Sequence, residues 1–146
     1  MERSFKQIIS EFETYAEKHK VIKEFIADPI TSLTANNHEY PLQWIELLRS
    51  TLGPGEVRIF LNVYFMVLLK PDNYIKIMSD SLRLCTDFYS YFNDNLPKFG
   101  FYFDNGPTTA SPVEYKFDDN ICGHKMEVIV EVPFDTDEDN IPISWK

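Results

Sequence analysis

Cys122 and His124 stand two residues apart in a stretch that reads as strand, and their spacing comes nearest to covalent chemistry. On a strand their side chains share one face, so an imidazole could draw the proton from a thiol. The pair has no third group to orient the imidazole, as nucleophilic catalysis requires. A core thiol beside a surface imidazole is the reading these residues favour. Zinc fares no better: His19 and His38 lie elsewhere and the chain has only 2 cysteines, short of a closed tetrahedral ligand set.

The carboxylates do not converge either. Asp135, Asp137, Glu138 and Asp139 resemble the opening of a calcium loop. Counted from Asp135, Asn140 stands where that loop's turn needs Gly, and Lys146 where its bidentate Glu belongs. A solvated arm is the better reading. Asp118 with Asp119, and Asp94, lie near turns, where Asp is a common turn former. Neighbours on a turn point apart, whereas acid–base pairs must converge. No dinucleotide, P-loop, zincin or nucleophile-elbow pattern occurs. No catalytic residue, metal or cofactor is expected, and the chain reads as an assembly or binding protein rather than an enzyme.

Composition narrows the class. At 146 residues with 44% hydrophobic content the chain is one ordinary domain with a real core. A net charge of −9 argues against gripping nucleic acid by phosphate neutralisation, yet an acidic wall lets nucleic acid slide past. The 2 cysteines suit a reducing compartment as free buried thiols. No secretory signal and no membrane-spanning run is read. The 12 Phe and 8 Tyr exceed the needs of a core and suit contact surfaces.

These residues sit on elements that the spacing predicts. Ser4 and Gln7 form a capping box opening a helix from Phe5 to about Lys18. Its apolar stripe is Phe5, Ile8, Ile9, Phe12, Tyr15 and Ala16. Residues 21–27 read equally as helix or strand. Leu42 to Leu48 is a strand, and Gly53-Pro54-Gly55 turns the chain through a loop wider than two residues.

The run Glu56 to Lys70 is a long strand. One alternating set (Val57, Ile59, Leu61, Val63, Phe65, Val67, Leu69) is wholly apolar and faces a core. The other begins polar and turns apolar, a face half-covered by a partner. Pro71-Asp72-Asn73 caps a second helix with Ile75, Met78, Leu82, Cys85, Phe88, Tyr89 and Phe92 inward, ended by Asn95-Leu96-Pro97. Phe99, Phe101 and Phe103 alternate, Asn105-Gly106 turns, Thr108 to Pro112 is loop, and short strands follow at Val113–Phe117 and Lys125–Pro133. The order predicts an α+β fold: an antiparallel or mixed sheet with two amphipathic helices packed on one face. Residues 1–134 form the single domain and 135–146 an acidic-then-apolar C-terminal arm.

Two features point to a partner surface. Tyr74 and Tyr91 cannot join the inward stripe of the second helix with Tyr89 and Phe92, so they are expected at an interface. Ile141, Ile143 and Trp145 are apolar groups at the end of an acidic tether, placed to dock on a neighbouring subunit or on their own sheet.

The segments FETYAEKHKVIKEF (Phe12 to Phe25), EYPLQWIEL (Glu39 to Leu47), KPDNYIKIMSDSLRLCTDF (Lys70 to Phe88) and the Val-rich, acidic, Ile-Pro stretch from Gly123 to Pro142 resemble small structural proteins of Bacteroidetes phages. Among these are neck and tail-connector proteins of crAss-like phages. The resemblance implies a tail-terminator-like or neck-ring subunit of the virion, assembled in the host cytoplasm. It implies a homo-oligomeric ring that contacts other neck, portal or tail proteins while DNA passes through the lumen. No catalytic or cofactor residues come with it. The rival expectation is a small acidic cytoplasmic immunity protein that masks a basic toxin.

Overall fold

The structure, a computed structural model, describes residues 4–27, 38–104, 107–116 and 120–133, without the side chains of 94–98. Helix α1 spans Phe5–Lys18. Ser4 Oγ accepts from the Gln7 N–H and Gln7 Oε1 accepts from the Ser4 N–H, so the capping box starts it as expected. Residues 24–26 resolve the ambiguous stretch as strand β1, Glu24–Ile26. Then come β2 (Leu42–Gly53), β3 (Glu56–Leu68), α2 (Tyr74–Phe99), β4 (Tyr102–Phe103), β5 (Ala110–Lys116) and β6 (Asn120–Pro133).

The fold is α+β, with both helices contributing to the core that covers one side of a 6-stranded sheet of order β1-β2-β3-β6-β4, β5 also pairing with β6. The sheet is mixed, because β1 runs parallel to β2 while the other pairs are antiparallel. Of the expected apolar set, Ile59, Leu61, Val63 and Phe65 are buried in this core with Met126, Val128, Val130 and Val132 of β6, and Val57 packs against it. The strand ends at Leu68 and not at Lys70, so Leu69 falls outside it, and Val67 is half-buried. Phe12 of α1 meets Phe88 and Phe92 of α2 edge-on at 5.1 and 5.0 Å, a geometry that adds to plain area burial. His19 ties the helices at their rim, its Nε2–H donating to Asp87 while Nδ1 accepts from the Val21 N–H.

Several boundaries differ from expectation. β2 runs past Leu48 to Gly53, and Gly53 pairs with Glu56, so the connection is the two-residue turn Pro54-Gly55. Proline followed by a glycine at φ 76 is the pattern of a type II turn. Helix α2 continues past Pro97 and stops at Gly100, whose φ of 75 supplies the left-handed cap. The next residue beyond that glycine, Phe101, is buried with Phe99, which holds the extra turn against the core. Asn73 occupies the N-cap of α2, yet its side chain turns back to accept from the Lys70 N–H and to donate to Leu68 O. β5 begins at Ala110, inside the expected loop, and β6 begins at Asn120 and takes Gly123 into its ladder.

The inward stripe of α2 is rotated from the expected one. Ile77, Ser81, Leu84, Cys85, Phe88 and Phe92 are buried, whereas Ile75 and Leu82 are exposed. Both sets obey the helical period, and the sheet selects between them. The second face of β3 also differs. Tyr64 and Met66 are covered by the chain's own Ile26, Leu42, Trp44 and Ile121 in a second, smaller core, so no partner is needed there. Trp44 stacks on Tyr64 at 4.3 Å.

Candidate functional site

The chemistry candidates resolve first. Cys122 and His124 do share the helix-facing side of β6, but the imidazole is buried instead of lying at the surface. Its Nδ1 lies 2.7 Å from Ser81 Oγ on α2, and the serine hydroxyl also reaches Met78 O at 3.4 Å. Ser81 and Cys122 have no exposed surface, so substrate cannot approach either one. Both cysteines are free and buried. Burial pushes the Cys85 thiol up to about 12 and raises Cys122 too, with Glu114 adding to the latter, which leaves both as thiols with little nucleophilic character. Among the described residues no group of His, Cys, Asp and Glu could hold a metal, and no helix is long and apolar enough to cross a membrane. Asp118, Asp119 and the acidic run from Asp135 lie outside the described residues, as does the side chain of Asp94.

The Ser81–His124 pair has a measurable signature. Burial holds the imidazole below its ordinary 6.5. The unfolded chain therefore takes up a proton where the folded chain does not, and stability falls as pH drops from 6.5 toward the folded value. Urea midpoints at about pH 7.5 and about pH 5.5 are expected to differ more in the native chain than in His124→Gln. Equal differences would put the imidazole in solvent.

On the opposite face, Glu46 Oε1 accepts from Tyr64 Oη at 2.8 Å and from Asn62 Nδ2 at 3.0 Å. Tyr115 Oη lies 3.5 Å from Tyr64 Oη. Burial first, then the hydrogen bonds of Tyr115 and Glu46, drive the Tyr64 phenol far above its ordinary value, so it stays a donor. This cluster locks β2, β3 and β5 together on the smaller core.

What remains accessible is the rim of the sheet, and its two long sides differ. On the β5 side the outermost strand carries Pro112, Glu114 and Lys116, all exposed. Proline and charge are the ordinary means of keeping an edge from pairing. On the other side β1 covers only Leu42, Gln43 and Trp44 of β2. Beyond Trp44 no described strand pairs with that edge of β2, and residues 47–52 are exposed. This open run carries Leu47 at 51%, Leu48 at 48% and Leu52 at 80% exposure. A bulge at Leu48, between the Leu47 and Arg49 pairings, breaks the alternation. Arg49 lays its guanidinium 4.2 Å from the Phe60 ring centre. A groove of about 280 Å³ lies beside it, bordered by Leu48, Arg49, Phe60, Glu127 and Ile129.

A second apolar zone follows α2, where Tyr74 is 45% and Ile75 77% exposed. It runs toward a groove of about 340 Å³ lined by Leu82, Cys85, Tyr89, Ala110 and Met126. Of the residues the sequence put at an interface, Tyr74 is exposed and Tyr91 is half-buried, packed 5.0 Å from Tyr15 and 5.1 Å from Phe92. Ile141, Ile143 and Trp145 lie outside the described residues. Sequence reasoning missed Leu47, Leu48 and Leu52. The adjacent leucines at 47 and 48 were the available sign, since two neighbours of one kind interrupt a strand's alternation. Set against known proteins, the chain matches no protein-family model and no curated protein.

Proposed function

We propose that this chain is a structural virion protein of a tailed phage, a ring-forming subunit of the head–tail connector (neck or tail terminator) that surrounds the DNA channel. The observation that carries the assembly part is the contrast between the two sheet edges: one guarded by Pro112, Glu114 and Lys116, the other leucine-rich and, among the described residues, without a pairing strand beyond Trp44. A long unguarded apolar edge is an aggregation hazard unless something pairs with it. A subunit that spends its life in a ring has that partner. The assignment to a phage connector rests on the sequence resemblance. In this reading the work is mechanical: edges and helix faces hold neighbours, including portal or tail proteins, and the net charge of −9 repels DNA phosphates so that the duplex slides without sticking.

Mass photometry of the purified chain, alone and with purified necks, tests the reading. Closed oligomers, or incorporation into necks, are expected; a strict monomer that joins no neck overturns it, and a one-to-one complex with a basic toxin would favour the inhibitor instead. Leu47→Lys with Leu52→Lys is expected to weaken self-association by roughly tenfold or more, equivalent to about 1.4 kcal/mol. Circular dichroism should stay unchanged, because both side chains are largely exposed in the subunit. Unaltered association would show that the β2 edge is not the contact.

A further inference from the structure

The end of β6 and the open run of β2 lie at the same end of the sheet. Pro133 pairs with Glu56, and Glu56 pairs with Gly53. The chain therefore leaves the sheet two strand spacings, about 9.5 Å, from the edge of β2. Beyond that point the sequence reads FDTDEDNIPISWK. Its first half is acidic, through Asp135, Asp137, Glu138 and Asp139. In its second half Ile141, Ile143 and Trp145 recur at every other position, the period of a strand with one apolar face.

Pro142 fits an edge position in a specific way. When the N–H groups of Ile141, Ile143 and Trp145 point toward β2, position 142 points outward, where the missing N–H of proline breaks no ladder. A strand added in this way carries proline on its outward side, which discourages further pairing. The acceptor side is complementary: Leu47, Leu48 and Leu52 offer apolar contact. The stretch 134–140 is about seven residues and reaches up to roughly 23 Å when extended, enough to cross between subunits.

We propose that residues 141–145 of a neighbouring copy add as a strand to residues 47–53 of β2. The inference rests on the ring reading above and names the element that joins one subunit to the next. An arm-to-edge contact is heterologous, since each subunit gives one surface and receives on another, and contacts of that kind build rings when the rotation closes. In its own copy the arm would have to double back around Pro54-Gly55 to run along β2.

The test uses the full chain carrying Ser50→Cys and Ser144→Cys, mixed as equal parts unlabelled and heavy-isotope protein and treated with a short thiol crosslinker. Cys85 and Cys122, being buried, stay out of the reaction. Crosslinks joining residue 50 of a light chain to residue 144 of a heavy one are expected. Crosslinks only within one chain, or none in a sample that is oligomeric, overturn the inference. Mass photometry of Ile143→Ala with Trp145→Ala, in the otherwise native chain, separates the two levels. Loss of the oligomer supports the arm contact; an unchanged oligomer overturns it and leaves the ring reading standing. A native chain that is monomeric and joins no neck removes both.

Discussion

Gly123→Ala is expected to lower the folding free energy by about 3 kcal/mol or more, at the upper end of overpacking costs. A Cβ at this position would lie 1.9 Å from Phe65 O and 2.9 Å from the Phe65 carbonyl carbon. Both obstacles are main chain of β3, tied into the ladder on each side, so no side-chain rotation relieves the clash. Position 123 pairs with Met66 on β3 and with Val113 on β5, which places it in the middle of the sheet. The cause is space and not backbone conformation, since positive φ is recorded for Gly55 and Gly100 but not for Gly123.

Two comparisons isolate that cause. At Gly53 the nearest atom to an added Cβ is Glu56 Cγ at 3.9 Å, so Gly53→Ala should stay within about 0.5 kcal/mol of native. At Gly55 nothing lies nearby, but φ is +76, so Gly55→Ala should cost about 1 kcal/mol from the left-handed backbone alone. Urea midpoints read at constant slope rank the three. A native midpoint for Gly123→Ala would mean that β3 and β6 can part at this point, and the described register would be wrong.

Phe88→Ala is expected to cost about 4 kcal/mol. Phe88 has no exposed surface and its ring meets Phe12, Tyr15, Phe65, Phe92 and Phe103 at centroid distances of 5.1, 5.4, 6.0, 4.8 and 6.3 Å. Those neighbours come from α1, β3, α2 and β4, so one truncation opens a cavity where four elements converge. The packing around it is ring against ring, and rigid rings collapse poorly into a void. Ile75→Ala on the same helix is the contrast: at 77% exposure it should change stability by no more than about 0.5 kcal/mol. Periodicity alone would have ranked Ile75 as core. Equal effects for the two substitutions would return α2 to the stripe that the sequence suggested.

That pair shows where local reasoning stops. Helix α1 was legible to its last residue, because a capping box and a single apolar stripe are local signals. The apolar set of β3 was legible for the same reason. Helix α2 offered two overlapping apolar stripes, and the true one contains Ser81, a polar residue that argues against burial until His124 is known to face it. That partner lies 43 positions along the chain, and nothing local announces it. His124 was expected at the surface for the same lack of information.

The strand margins follow this rule as well. The sequence reading ends β2 at Leu48, whereas a bulge carries it on to Gly53 against β3. The parallel pairing of β1 with β2, and the covering of Tyr64 and Met66 by Trp44 and Ile121, depend on residues far apart in sequence. Of the candidate site, the sequence pointed to Tyr74; the exposed leucines of β2, on an edge that no described strand covers beyond Trp44, were not visible in it.

Residue order alone therefore carried the class of fold, the first helix and the core face of the long strand, all of them matters of short-range periodicity and capping. Folding in three dimensions settled which stripe of α2 meets the sheet, which histidine is buried and how far β2 runs past its bulge. Those outcomes depend on how distant segments compete for the same buried area, and no single segment holds that information.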